Sequence, residues 1–565
     1  MFKPVLFSIL KHREHDLTKN QLTNDIIAGV IVAVIALPLS IALAIASGVT
    51  PEKGIITAII AGFLVSFLGG SRVQIGGPTG AFVVIVYGIV TQYGIGGLTI
   101  ATFLAGCIMI MFGLLKFGSV IKYVPYPTTT GFTSGIAIVL LSTQVKDFFG
   151  LTMNDVPSEF IEKWKAYFTD FSTIDMTTTL IGVISLLIIV FWPKINKRIP
   201  GSLIALVVVT VGVKLLNLPV ETIGSRFGEI SNSINLVKFN ELNLSLDMTK
   251  ELLRPALTIA FLASIESLLS AVVADGMIGK RHNSNTELIA QGIANIASSI
   301  FGGIPATGAI ARTAANVKNG GRTPISGMVH AIVLFLIMII FMPLAKLIPM
   351  ATLSAILVIV SYNMSEWRSF KSLFRSTKSD IIVLLVTFSM TVLFDLVIAI
   401  EIGMIIAMFL FVKRMSESTQ VSNVNHNYFD IFTDDSEYDE TISFNDGTHI
   451  GLNNKIMVYE ITGPLFFGVA NTFLEVMNEL KANTNVLILK MKNVPNIDAT
   501  AYNALKRIEK SCRNQDITLL FACVNDQPLK LLEGSGFFET VSKDNLFDSV
   551  KTAVEYADNL VLNNK

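Results

Sequence analysis

The strongest constraint on this chain is one stretch inside an apolar region, Gly302-Gly303-Ile304-Pro305-Ala306-Thr307-Gly308-Ala309-Ile310-Ala311-Arg312-Thr313. Proline and paired glycines interrupt a helical ladder, and bare N–H and C=O groups cannot face hydrocarbon. Such a stretch has to line a cavity enclosed by protein. A short helix starting near Thr307 would point its first N–H groups into that cavity, and its partial positive charge suits an anion. The same wording occurs earlier: Gly76-Gly77-Pro78-Thr79-Gly80-Ala81 matches Gly302 to Ala309 apart from two inserted residues. Two interrupted apolar segments in corresponding halves point to a binding site at the midplane of an inverted-repeat transporter. The competing reading is a pair of ordinary glycine-rich turns between membrane helices. It does not explain why the wording repeats, each time before an apolar run too short to span comfortably.

Composition agrees. Of 565 residues, 52% are hydrophobic and only 15% charged, and the mean hydropathy is +0.61. That is an integral membrane protein rather than a soluble enzyme. The formal net charge is zero, which gives no ground for a nucleic-acid partner. Cys107, Cys512 and Cys523 form neither a metal-ligand spacing nor a disulfide framework. There is no Walker-type loop, no HExxH and no arguable Ser-His-Asp cluster, so no cofactor, metal or ATP-driven step is expected. Nothing resembles a cleavable signal peptide, and Lys11 to Asp16 reads as a charged lead-in to the first span.

The apolar runs read as about fourteen membrane segments in two sets of about seven. The first set is Ile26–Ala46, Ile55–Leu68, a short helix from Gly80 through Val86, Leu98–Leu115, Gly131–Leu141, Thr179–Phe191 and Leu203–Leu215. The second is Leu252–Ala274, Leu288–Phe301, a short helix to about Asn316, Ile325–Leu347, Ala351–Val360, Ile381–Phe394 and Leu396–Val412. Charge tests the count. With the N-terminus in the cytoplasm, the inside loops carry Lys116 and Lys122, then Lys194, Lys197 and Arg198. The later ones carry Lys280 and Arg281, Lys318 and Arg322, Arg368 to Lys378, and Lys413 with Arg414. The first long outside loop is acidic, with Asp147, Asp155, Glu159, Glu162, Asp170 and Asp175. This is the positive-inside pattern, and it places both ends of the membrane part in the cytoplasm of a multi-pass protein of the cell membrane.

The expected organisation is a transport domain over residues 1–415, a linker over 416–450, and a soluble α/β domain over 451–565. Ser416 to Asn445 is polar and acidic, a linker or a partly ordered strand region. Strand-like Ile456–Ile461, Val486–Leu489 and Ile517–Cys523 alternate with helical Ala470–Lys481, Ala501–Cys512 and Leu529–Leu532.

Several side chains in the membrane part carry chemistry. Glu266 is an acid in the middle of an apolar helix, so it should face a cavity, pair, or take up a proton. Ser270 lies one turn on and shares its face, and together they offer oxygens to a coupling ion, proton or cation. Arg312 supplies a fixed positive charge near a helix start; it could strengthen an anion site or neutralise Glu266. Thr79 and Thr307 offer hydroxyls beside Gly80, Ala81, Gly308 and Ala309, and Phe82 either closes the site or packs in the core. Pro38, followed by Ser40, should kink the first span or free a carbonyl. Asp275, Asp395 and Glu401 sit near predicted ends and read as interfacial.

These motifs together resemble the SulP (sulfate permease) family of anion transporters with a C-terminal STAS domain. The resemblance rests on Gly76–Phe82, Ser264–Gly276, Gly302–Thr313, Asp395–Ile400, and the STAS-like Asn496-Ile497-Asp498-Ala499-Thr500-Ala501. It implies the uracil-transporter-type fold: seven plus seven inverted spans, a core that moves like an elevator, and a homodimer in the bilayer. It implies a small inorganic anion, of the sulfate or bicarbonate class, held between the third and tenth helix starts. Dicarboxylate carriage, chloride exchange and sodium coupling also occur in the family, and a neutral nucleobase carrier shares the fold. The run Ala36-Leu37-Pro38-Leu39-Ser40 is similar to the bicarbonate members. Glu266 is similar to the proton-coupled ones, since the sodium-coupled bicarbonate carriers have aspartate there and lack Arg312. In the STAS motif Ala499 stands where anti-sigma antagonists carry a phosphorylated serine, with Thr500 beside it.

Overall fold

The computed structural model describes residues 2–12, 18–119, 124–153, 156–157, 159–196, 199–237, 246–394, 396–423, 455–466 and 484–563. The expected helix Ala470–Lys481 and the charges at Arg13–Asp16, Lys122, Asp155, Lys197, Arg198 and Asp395 lie outside them. So does most of the expected linker.

In the first half, α1 (Val5–His12), α2 (Lys19–Ala46) and α3 (Pro51–Leu68) lead into a short strand, β1 (Gly76–Gly77). A 3-10 turn over Gly80–Phe82 then opens α4 (Val83–Leu114). The α4 backbone leaves helical geometry at Gly94, with φ 67° and ψ −172°. A short helix and a full one therefore share this element, as the two separate apolar runs predict. Next come α5 (Tyr126–Thr143), α6 (Val145–Phe149), α7 (Phe160–Thr169), α8 (Met176–Ile195), α9 (Gly201–Leu215) and α10 (Ile223–Phe227).

The second half repeats the plan. α11 (Leu246–Ile278) and α12 (Ser284–Ile300) precede β2 (Thr307–Gly308), which opens α13 (Ile310–Lys318). α14 (Ile325–Ala345), α15 (Met350–Met364), α16 (Trp367–Leu373), α17 (Lys378–Leu393) and α18 (Leu396–Glu417) complete it. Each expected membrane segment coincides with one of these helices or part of one. Among the described residues, six helices are long and apolar enough to cross a bilayer by themselves. One expectation needs correction. The second short helix starts at Ile310 with Ala309 as its N-cap, so Thr307 belongs to a strand and not to a helix start. α2 runs through Pro38 as one helix of 28 residues, with Pro38 and Ser40 both buried, and Pro38 has no N–H to donate to the preceding turn.

Helices in lipid gain little from apolar contact with each other, so close approach of small residues decides their packing. α4 crosses α12 at a glycine pair. A Cβ on Gly106 would lie 2.6 Å from the Gly292 carbonyl oxygen, and a Cβ on Gly292 would lie 2.6 Å from that of Gly106. α2 meets α3 in the same way, where a Cβ on Gly54 would lie 2.0 Å from the Ser40 oxygen. These contacts bring together the helices that flank the two breaks.

The chain divides into two compact units, Met1–Ala407 and Met408–Lys565, with the boundary inside α18. The second unit is built on a five-stranded sheet in the order β3 (Gln420–Asn423), β4 (Ile456–Thr462), β5 (Val486–Asn493), β6 (Thr518–Ala522) and β7 (Leu546–Phe547). β3 is antiparallel to β4 and the other pairs are parallel. β3 falls within the stretch expected as linker. β5 is buried over Val486–Met491, as a strand covered on both faces should be. Asp498 caps the helix Ala499–Asn514, accepting from the Ala501 N–H at 2.8 Å, which leaves Ala499 and Thr500 exposed in its first turn.

Gly292→Ala should cost about 1–3 kcal/mol, because its methyl meets backbone that cannot swing aside. Gly212→Ala, which meets nothing within 4 Å, should be neutral or stabilising by up to about 1 kcal/mol. Thermal unfolding of the two purified variants in one detergent measures the contrast.

Candidate functional site

The two breaks meet. β1 and β2 pair antiparallel, Gly76 opposite Gly308 and Gly77 opposite Thr307. Antiparallel pairing is what two inverted copies of one segment require. It also disposes of backbone groups that a membrane interior cannot satisfy.

Side chains complete the accounting. Asn295 acts as a strand substitute: its Nδ2 donates to the Ala306 oxygen at 2.9 Å and its Oδ1 accepts the Ala306 N–H at 2.8 Å. Thr57 Oγ1 accepts the Ile304 N–H at 2.7 Å, and Ser298 Oγ donates to the Ile304 oxygen at 2.8 Å. The Ala309 N–H donates to the Ile75 oxygen at 2.9 Å, and the Ile75 N–H donates to Thr313 Oγ1 at 3.1 Å. Asn316 Nδ2 holds the Val73 oxygen at 2.9 Å, and Glu287 takes the Gly70 and Ser71 N–H groups at 2.8 and 3.0 Å. These polar residues are the part sequence reasoning missed. Their signal was polar side chains inside apolar helices, above all Gln291 and Asn295 in α12 and Asn316 in α13.

The candidate side chains separate into three groups. Thr79 and Glu266 come together, both partly exposed: Thr79 Oγ1 donates to Glu266 Oε2 at 2.8 Å. Arg312 is 2% exposed on the first turn of α13. Its Nη2 donates to Ser40 Oγ at 3.3 Å, while its Nη1 is buried without a partner. That Nη1 occupies the place a side chain on Gly77 would take, 2.2 Å from an added Cβ, so the crossing itself requires glycine. Arg312 and Glu266 make no ion pair within 4 Å, and the neutralising partnership between them is not formed.

The remaining candidates are spent on packing or backbone. Ser270 donates to Thr313 Oγ1 at 3.2 Å and ties α11 to α13, making no hydrogen bond to Glu266. Thr307 donates to the Ala263 oxygen at 2.9 Å. Gly308 lies under Gln74, whose amide nitrogen donates to the oxygens of Ser267. Gly80, Ala81, Phe82 and Ala309 are buried, Phe82 within the cluster that includes Val86, Ile136 and Ile259. One further residue belongs here. His330 on α14 is fully buried, both ring nitrogens lack partners, and the ring packs by Gly62 next to the Gly76 carbonyl.

The N–H groups of Ile310, Ala311 and Arg312 precede the first intrahelical bond of α13, which Thr313 donates to Ala309. The unpartnered guanidinium nitrogen thus lies against Gly77, two residues before the Thr79 hydroxyl that donates to Glu266. Among the described residues no group of three or more His, Cys, Asp or Glu side chains is placed to hold a metal.

Fold and site define a helical membrane transporter with an α/β domain at its C-terminal end, not an enzyme. The sulfate permease family model matches residues 22–387, and the STAS domain model matches residues 450–553. The chain belongs to the sulfate permease family. It is 39% identical over 545 residues to the putative sulfate transporter YvdB of Bacillus subtilis, covering 95% of this chain and 98% of that one. It is 30% identical over 563 residues to the bicarbonate transporter BicA of Picosynechococcus, covering 95% and 94%. Among solved structures, SLC26A9 superposes with a TM-score of 0.84 at 17% identity over 98% of this chain and 92% of that one, a likeness of fold. The transmembrane domain of BicA superposes at 0.60 with 30% identity, covering 69% and 98%.

Thr79→Val removes the donor that Glu266 holds. A hydrogen bond to a charged group contributes about 1.5–3 kcal/mol, so kcat/KM for transport should fall by about tenfold or more. Initial-rate uptake in proteoliposomes at equal protein content checks this.

Proposed function

We propose that this protein is a secondary active carrier of small inorganic anions, sulfate or bicarbonate, coupled to protons. The observation that carries the reading is the unpartnered Arg312 Nη1 at the crossing of the two paired breaks. A buried guanidinium nitrogen with no acceptor is costly, and an anion at the start of α13 would supply that acceptor. Sulfate and bicarbonate are the substrates in the names of the relatives, and both are compact oxyanions that accept hydrogen bonds from several sides.

Glu266 takes the coupling role. It sits on an apolar helix with one hydroxyl as partner and no cation within 4 Å, so protonation changes the charge of the site by one unit. Thr79 joins this carboxylate to the first break, so the proton and the anion sense one another through a single hydrogen bond. In this reading the paired breaks move as one body past the α5 and α15 surface, an elevator. The transport domain ends within α18, and the STAS domain over 451–565 takes in β3 (Gln420–Asn423) from the stretch expected as linker. A homodimer in the cell membrane with both chain ends in the cytoplasm completes the proposal; the basic loops support that orientation.

Purified protein in proteoliposomes, given labelled sulfate, bicarbonate and fumarate with pH and sodium gradients imposed in turn, tests this. The expected result is concentrative uptake of sulfate or bicarbonate driven by an inward proton gradient and indifferent to sodium. Glu266→Gln should lose accumulation while keeping exchange of labelled for unlabelled anion. Undiminished accumulation by that variant removes Glu266 from coupling. Sodium-driven uptake replaces the proton, and competition by uracil moves the protein to a neutral-solute carrier.

A further inference from the structure

A second feature of the transport unit lies away from the crossing. The last turns of α2 and α5, α6, the first turns of α4, the first two turns of α15, and α7 and α10 line a partly open cavity of about 140 Å³. About 10–15 Å³ suffices for a single water, so there is room for a small anion and part of its hydration shell. The charged groups lining it are Lys146, Lys163, Arg226 and Asp147, and Tyr87 is the other titratable one.

Four of these are already satisfied. Arg226 donates to both carboxylate oxygens of Asp147, at 3.2 and 2.6 Å, and also to Glu221. Lys146 donates to the Met153 oxygen at 2.9 Å, and the Tyr87 hydroxyl donates to the Val156 oxygen at 3.1 Å. Lys163 is different. It is 2% exposed, lines the cavity, and has neither a hydrogen bond nor an ion pair among the described residues. Burial pushes its ammonium down from the usual lysine value to about 8. Tyr167, one turn on and on the same face of α7, is 1% exposed, and its hydroxyl also lacks a partner. The Lys163 stem is buried and its ammonium opens on the cavity with no counter-charge against it, which leaves its charge poorly compensated.

α15 and α5 both run from the cavity to the first break. Leu357 of α15 lines it, and Met364, seven residues further along α15, lies against Gly80. Seven residues of helix cover about 10 Å. On α5, Thr143 lines the cavity and Leu140, less than one turn away, also touches the position above Gly80.

We propose that Lys163 and this cavity form a second anion site, in which a small oxyanion docks on the Lys163 ammonium before it moves on to the crossing. The binding itself does not depend on the carrier reading; only the onward route does. Gln144, Thr143 and Ser354 line the same space and offer polar contacts around the docked ion. Lys163 can attract the anion while it is charged, so the site weakens as pH rises through about 8. A bound anion in turn favours the charged ammonium, since the two equilibria are linked.

Two measurements on the full-length protein test this. The first is acylation of solubilised protein by acetic anhydride at pH 8, read at each lysine by mass spectrometry, with sulfate or with gluconate at equal ionic strength. Sulfate should slow modification of Lys163 by about threefold or more and leave exposed Lys250 unchanged. Equal Lys163 rates in the two salts overturn the proposal. The second is sulfate or bicarbonate uptake by Lys163→Gln and Lys163→Arg. Lys163→Gln should raise KM by about fivefold or more with kcat nearly unchanged, and Lys163→Arg should keep KM low and remove its rise above pH 8. A fall in kcat with KM unchanged means a structural lysine and contradicts the site. If wild-type protein carries neither anion, the carrier reading fails, and the acylation result alone decides on Lys163.

Discussion

Two residues of β1 paired with two of β2 hold the transport unit together at its centre. A membrane-embedded chain can interrupt a helix only where other protein takes up the freed N–H and C=O groups. Here two interruptions satisfy each other, Gly76–Gly77 against Thr307–Gly308, and Asn295, Thr57, Ser298 and Asn316 take the groups left over. Glycine is required on the first strand because the Arg312 guanidinium lies against Gly77, and on the second because Gln74 covers Gly308. The glycine crossing of α4 and α12 brings the helices on either side close enough for this pairing.

The crossing leaves charge of each sign without mutual neutralisation. Arg312 is held by Ser40, and Glu266 is held by Thr79 from the other half of the repeat. Had the two formed a salt bridge, each would have been spent, and an anion would have had to break a desolvated pair to enter. Kept apart, the arginine retains a free donor and the acid a single hydroxyl partner, as the proposed carrier requires. His330, neutral or charged, adds a second unpartnered polar group on the α14 side, next to the Gly76 carbonyl. The same logic extends to Lys163, whose neighbours Arg226 and Asp147 satisfy each other and leave its ammonium alone.

Much of this was legible in the sequence because the membrane imposes few and strict rules. Apolar length gave the helices, proline and paired glycine gave the breaks, and repetition of one wording in both halves gave their partnership. Glu266 and Arg312 stood out because charge in an apolar segment is costly. What was not legible was which hydroxyl goes where. Thr79 and Thr307 look equivalent in sequence, yet one meets Glu266 and the other meets the Ala263 carbonyl, because Thr79 lies beyond its strand at the turn into α4 while Thr307 is itself part of β2. Ser270 shares a helix face with Glu266 but turns to Thr313, a partner in an element that sequence spacing cannot bring near. Lys163 gave no sequence signal, since a lysine in a charged surface loop is normally solvated. Only the packing of α7 shows it buried.

The central claim is that the paired breaks bind an anion through Arg312. Equilibrium binding of labelled sulfate and bicarbonate to the purified protein, wild type against Arg312→Gln, addresses it without any transport step. The account predicts saturable binding by the wild type of at least one anion, weakened by about tenfold or more in the variant while its thermal unfolding stays cooperative. Equal affinity in the two proteins would contradict it.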